Sequence, residues 1–189
     1  MARFLFVTWG GAGNQTPAIG LAATLTDRGH QVVFAGYPEQ RERFQELGYG
    51  FRVLRRAQHA WPATPPEDWM PVLVDAVWAC PDHLHDVREL VEGEACDTVV
   101  VDCLMFGALA AAERMSVPTV ALVHSAPGAL VPPGDGLERL ALGRVNAVRA
   151  EAGLPAITAL WDAWRRFTTI CTSIPDLDPL TDRVPAGFE

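Results

Sequence analysis

Arg3-Phe4-Leu5-Phe6-Val7-Thr8, followed by Trp9-Gly10-Gly11-Ala12-Gly13-Asn14-Gln15 and then Thr16-Pro17-Ala18-Ile19-Gly20-Leu21-Ala22, is the stretch that decides the fold. Residues 3–8 run apolar without alternation, the mark of a strand covered on both faces of a parallel sheet. The glycines end that strand. From Thr16 the apolar residues Ile19, Leu21, Ala22 and Leu25 recur at helical spacing, Pro17 sits in the first turn, and Gly29 stops the helix. Gln31 to Ala35 then reads as a second strand, Pro38 to Leu47 as a second helix closed by Gly48, and Phe51 to Leu54 as a third strand. The first 55 residues are therefore expected to be βαβαβ.

Beyond them, residues 55–71 lack periodicity and carry Trp61, Pro62, Pro65, Pro66 and Trp69, which predicts a loop with aromatic side chains at its surface. Residues 72–92 read as a long amphipathic helix interrupted or kinked near Pro81. Its two histidines, His83 and His85, stand among acids and are expected to face solvent; at i and i+2 they share no helical face for a metal. Thr98 to Asp102 is the clearest buried strand. A helix at 107–115, a strand at 118–123, helices at 137–152 and about 157–166, and a strand at 168–171 complete the series. Strands that alternate with helices predict an α/β fold, a Rossmann-like parallel sheet of about six or seven strands with helices on both faces. Right-handed crossovers place the carboxyl ends of its strands along one edge, where ligands bind. Trp9 to Thr16, Gly36-Tyr37, the loop 55–71, Asp102 to Met105 and His124 to Pro127 are expected at that edge.

Composition narrows the function. The chain has 189 residues, 49% hydrophobic and 20% charged, which fits one folded domain that needs no disulfide or metal staple. With 23 acidic against 15 basic residues the formal charge is −8, which argues against nucleic acid or an anionic membrane as partner. The apolar runs all fall short of the roughly 20 residues of a membrane span. Cys80, Cys96, Cys103 and Cys171 form no CxxC pair and no zinc spacing, so they read as free thiols in a reducing, cytoplasmic setting, and no metal is assigned. Gly11-Ala12-Gly13 imitates a dinucleotide fingerprint, but its third small position is Thr16, and Ala35-Gly36 stands where an acid should hold a ribose. A phosphate loop of the Walker type needs a lysine, and the chain has none.

The run Gly13-Asn14-Gln15-Thr16-Pro17-Ala18-Ile19-Gly20-Leu21-Ala22, closed by Arg28-Gly29-His30-Gln31-Val32, resembles the opening of nucleotide-sugar-dependent glycosyltransferases of the GT-B fold. Asp97 to Asp102 with Gly107 to Arg114, Arg149 to Pro155, and Ser173 to Asp178 are similar to further passages of that family, in the same order. The subgroup it looks like is the bacterial enzymes that glycosylate natural products such as macrolides and other antibiotics. The resemblance implies an acceptor-binding domain over residues 1–175 and a linker over 176–189, leading to a C-terminal domain that binds the nucleotide-diphosphate sugar. It implies an inverting transfer to a hydroxyl of an apolar small-molecule aglycone, with no cofactor beyond that co-substrate. Without the donor half, this chain alone is expected to be inactive.

Family members place a histidine or aspartate base where this chain has Asn14, backed by an aspartate at the position of Asp102. A neutral amide accepts a hydrogen bond but takes no proton at useful pH. Three readings follow: Asn14 orients the acceptor while Asp102 or another group at the edge acts as base, His124 supplies the base, or the protein has lost transfer and only binds or assists. Trp9, Gly13, Trp61, Trp69, Met105, His124 and Ser125 are the candidate acceptor-binding residues. Each has a plainer role to set beside this: Asn14 and Asp102 as helix caps, His124 as a satisfied edge residue, Ser125 as a turn residue, and Trp61, Trp69, Met70 and Trp78 as core. The donor half would lie in cis or on a separate chain.

Overall fold

The computed structural model describes residues 1–11, 13–64, 66–174 and 176–178. Six parallel strands, β1 (Arg3–Val7), β2 (Gln31–Gly36), β3 (Gly50–Val53), β4 (Thr98–Asp102), β5 (Thr119–Val123) and β6 (Thr168–Cys171), form one sheet in the order β3-β2-β1-β4-β5-β6. The chain runs outward from β1 to β3 and returns to start again at β4. Strand order therefore reverses between β1 and β4, the place at the carboxyl ends of the strands where open parallel sheets bind ligands. In register, Val7 stands opposite Val101 and Asp102 opposite Leu122, so Thr8 and Asp102 emerge side by side at that edge, with His124 two residues beyond Leu122.

The central strands are buried on both faces, which is why they read as unbroken apolar runs. Phe6, Val100 and Leu122 point to one side, where α1 (Gln15–Asp27) and α2 (Arg41–Glu46) pack around a row of rings. Phe34 stacks on Phe44 with centroids 4.0 Å apart, and Phe44 lies 5.6 Å from Phe51. Leu5, Val7, Val99, Val101, Ala121 and Val123 point to the other side, into the larger core. That core is built with α4 (His83–Glu94), α5 (Phe106–Glu113), α7 (Gly136–Glu151) and the single turn α8 (Trp161–Trp164). Helix α5 is buried from Phe106 through Ala112, so it shows no polar face.

Several expectations need correction. The long helix over 72–92 is three pieces: α3 (Met70–Leu73), a π turn over Val74–Trp78, and α4. Pro81, which has no amide hydrogen to continue the ladder, falls in the break. The helix over 157–166 shrinks to α8, and a short turn α6 (Pro127–Leu130) follows β5 where no helix is expected. His83 is fully buried, whereas His85 is exposed. Trp78 is core as well, edge-on to Phe106. The expected linker lies almost wholly outside the described residues; of its start, Asp178 accepts a hydrogen bond from the Gly128 amide at 2.8 Å. No helix among the described residues is long and apolar enough to cross a membrane.

The burial of His83 follows from how α4 and α5 cross. A Cβ on Gly107 would stand 2.3 Å from the Cys80 carbonyl oxygen and 3.1 Å from His83 Nδ1, so only glycine allows the approach. The Tyr37 hydroxyl donates to the Ala76 carbonyl and lies 3.1 Å from His83 Nε2, which therefore carries the proton, leaving Nδ1 without a partner. Desolvation drives the His83 pKa down to about 3, so the ring is neutral.

Two predictions follow from this crossing. Gly107→Ala gains at most about 1 kcal/mol of helix propensity but forces the helices apart at a cost of about 1–3 kcal/mol, so the net change is destabilising, read as a lower urea midpoint. Because the unfolded chain protonates His83 near its ordinary pKa of 6.5 and the folded chain only near 3, this group's stabilising effect is full above pH 6.5 and declines as pH falls. The slope it adds is up to about 1.4 kcal/mol per pH unit. Denaturant titrations between pH 7 and 4.5 should show it, and His83→Gln should flatten it.

Candidate functional site

Asp102, the last residue of β4, is 3% exposed and sits at the point where strand order reverses. Three hydrogen-bond donors and one imidazole nitrogen converge on its carboxylate. Oδ1 accepts from the Trp9 indole Nε1 at 3.2 Å and from the Leu104 amide at 3.0 Å. Oδ2 accepts from Asn14 Nδ2 at 3.1 Å, and His124 Nδ1 lies 2.9 Å from it as an ion-pair contact. The ionised, acceptor-only form of the side chain suits these neighbours. The three side chains come from the loop after β1 and from the end of β5, so the carboxylate ties together the carboxyl ends of the three adjacent strands β1, β4 and β5.

Asn14 is 2% exposed. Its Nδ2 also donates to the Trp9 carbonyl at 3.0 Å, and because both neighbours are acceptors the amide has one admissible orientation. Oδ1 is then buried with no partner among the described residues. Its neighbour in space is Gly11, where an added Cβ would meet Asn14 Oδ1 at 3.0 Å and the Trp9 ring at 2.9 Å. The capping role is not what Asn14 does: it precedes α1 but makes no side-chain cap bond. Asp102 does hold the turn into α5 through the Leu104 amide, which is one of its three hydrogen bonds.

A carboxylate oxygen 2.9 Å from His124 Nδ1 favours a hydrogen on that nitrogen, which in the neutral ring leaves the lone pair on Nε2. No hydrogen bond engages Nε2 among the described residues, and the side chain is 8% exposed. The Cys103 sulfur lies 3.6 Å from Nδ1, and burial, then the Asp102 charge, push that thiol well above its ordinary pKa, so it stays protonated. Asp102, Cys103 and His124 bring their donor atoms within 4.8 Å of one another, the one such group of potential metal ligands among the described residues. Without a metal the thiol is protonated and Oδ1 and Oδ2 already accept, so a cation would have to displace those hydrogens to bind.

The remaining candidates divide. Trp9 belongs to the site through its indole, and Ser125 is exposed next to His124 at the same edge. Gly13 is exposed with open space where a Cβ would be. Met105 is fully buried and offers a ligand no surface, because the turn after β4 directs it into the core. Trp61 packs partly buried against the larger core, whereas Trp69 is 48% exposed. Among the described residues no hydrogen bond or ring contact joins either tryptophan to Asp102. Sequence reasoning missed Gln15, which is buried, donates to the Trp9 carbonyl at 3.2 Å and accepts from Arg43 at 2.7 Å, bracing the loop from α2. A glutamine at the start of a helix carries no signal for that.

No family model matches the chain. It is 29% identical over 190 residues to a dTDP-epi-vancosaminyltransferase of Amycolatopsis orientalis, covering 94% of this chain and 47% of that protein. Among solved structures, the glycosyltransferase of kitacinnamycin matches with a TM-score of 0.72 at 21% identity, over 97% of this chain and 49% of that one. The calicheamicin glycosyltransferase CalG4 matches with a TM-score of 0.64 at 18% identity, over 99% and 51%. The chain thus spans about half the length of the relatives it matches. Its likeness to one half of bacterial natural-product glycosyltransferases, expected from the sequence, is shown, as is the Rossmann-like fold.

The site makes its own prediction. Asp102→Asn sets an amide NH2 against donors that need an acceptor, and should destabilise the fold by roughly 2–4 kcal/mol with a changed Trp9 emission. Trp9→Phe, which removes one donor and leaves the others, should cost about 1 kcal/mol. Urea unfolding followed by fluorescence and by circular dichroism checks both.

Proposed function

We propose that this chain is the acceptor-binding half of an inverting glycosyltransferase, which moves a sugar from a nucleotide-diphosphate sugar to a hydroxyl of an apolar natural-product aglycone. The observation that carries the reading is the buried Asp102 at the sheet's switch point, which gathers Trp9, Asn14 and His124 around one carboxylate, in a domain similar to half of antibiotic glycosyltransferases. An attacking hydroxyl must lose its proton as it bonds to the anomeric carbon, and the diphosphate must leave with the electron pair of the broken bond. The Asp102 cluster serves the first need. A site for the second belongs to a C-terminal donor domain, in the same polypeptide or on a separate chain, so residues 1–189 alone bind acceptor without transferring sugar. Trp9, Gly13, Ser125 and the exposed Trp69 are the surfaces offered to the aglycone. No metal takes part.

A second reading keeps the fold and drops the chemistry: an auxiliary or binding protein. What favours it is the neutral Asn14 at the position where the family carries its base.

The test joins this chain to a donor half, taken from the continuation of its own gene or from a natural-product relative, and supplies dTDP-sugars with a panel of polyketide and glycopeptide aglycones. Glycosylated product from the joined protein and none from the chain alone is the expected result. Folded, dTDP-binding joined protein that transfers to no aglycone would favour the auxiliary reading.

A further inference from the structure

We infer that His124, at the end of β5, is the group that deprotonates the acceptor hydroxyl, and that Asp102 is its positioning residue. This rests on the transferase reading above. Three side chains around the carboxylate were open for the role. Asn14 is excluded by its chemistry, since an amide oxygen takes no proton. Asp102 is excluded by its surroundings: it is buried, Oδ1 already accepts two hydrogen bonds, and Oδ2 accepts one and stands 2.9 Å from His124 Nδ1. His124 remains. A carboxylate oxygen 2.9 Å from its Nδ1 favours a hydrogen on that nitrogen, and no hydrogen bond engages its Nε2 among the described residues. A carboxylate that orients one imidazole nitrogen and stabilises the cation formed when the other takes a proton is the arrangement used in acyl-transfer triads.

The same carboxylate oxygen, Oδ2, receives both Asn14 Nδ2 and His124 Nδ1. The loop after β1 and the end of β5 are thus two positions from which a side chain reaches Asp102. In this chain the basic nitrogen occupies the second and Asn14 fills the first, its Oδ1 buried without a partner among the described residues. In the step, the hydroxyl oxygen bonds to the anomeric carbon as its proton passes to Nε2. The bond from that carbon to the diphosphate oxygen breaks, its electron pair leaving with the nucleotide. The imidazolium, neutralised by Asp102, then releases the proton to solvent. The titratable groups that face His124 are Asp102 and Cys103 from β4, with Cys171 of β6 lying 3.9 Å from the adjacent Ser125 carbonyl. Burial raises both thiols, so Asp102 is the one charge among them.

The experiment uses the joined, two-domain protein with a dTDP-sugar and an accepted aglycone. His124→Gln keeps an amide donor for Asp102 but has no basic nitrogen, and kcat should fall by about 10²–10⁴-fold with KM for the aglycone changed by less than about threefold. The acidic limb of the kcat–pH profile should disappear with it, and added imidazole should restore part of the rate of His124→Ala. A thermal midpoint near that of the parent separates lost chemistry from lost fold. Full kcat and an unchanged pH profile in His124→Gln would overturn the assignment while leaving the transferase reading intact. Absence of transfer by the parent joined protein would instead overturn that reading, and this assignment with it. Independently of turnover, nitrogen-15 spectra of the 189-residue chain should show His124 as the Nδ1–H tautomer; an Nε2–H tautomer would overturn the geometry on which the assignment stands.

Discussion

A buried carboxylate can be held in a core only if every lone pair it exposes there is met. Asp102 meets that condition with three hydrogen bonds, from the loop after β1 and its own following turn, and with the His124 imidazole nitrogen 2.9 Å away at the end of β5. The consequence runs outward. Trp9 and Asn14 are each locked in one orientation because the carboxylate will accept only hydrogen, and the glycine loop is folded down over the sheet edge because Asn14 and Gln15 both reach the Trp9 carbonyl. Loop structure and site chemistry are set by the same charge.

That charge is placed by the sheet. Parallel strands covered on both faces leave polar groups little room except at the strand ends, and strand order reverses between β1 and β4, where Asp102 ends its strand. The rest of the molecule keeps the sheet dry. A stack of phenylalanines covers one face, and the alanine-rich α5, which approaches the Cys80 segment closely enough to require Gly107, covers the other. His83 is a by-product of that tight crossing: neutral, half satisfied and remote in chemistry from Asp102.

As the proposed acceptor half, the domain needs no diphosphate site of its own. Its site has a charge, an imidazole and an unmatched amide oxygen, and among the described residues the groups that meet the Asp102 carboxylate are Trp9, Asn14, Leu104 and His124. A cleft beside β3 and α4 is lined by Arg41, Arg52 and Arg55, together with Asp86, Glu89 and Glu94 that offset them.

Much of this was legible in the order of residues. Continuous apolar runs at 3–8 and 98–102 gave buried strands, the glycines after the first gave the loop, and the alternation of strands and helices gave the parallel sheet, because periodicity and turn chemistry are local properties. Placing Asn14, Asp102 and His124 at strand ends gave a list of residues that share one edge. Which of them touch could not be read, since Asn14 and Asp102 are 88 positions apart and their bond depends on strand order and register. The same limit explains the misplacements. His83 looked exposed because its helix is acidic, Met105 looked available because it follows a strand, and the segment over 72–92 looked like a long helix because its apolar spacing continues through a π turn. Local pattern decided which elements form and where they stop; the packing of distant elements alone decided that a capping-type asparagine and an edge histidine would meet on one buried carboxylate, and hence that the edge is a site.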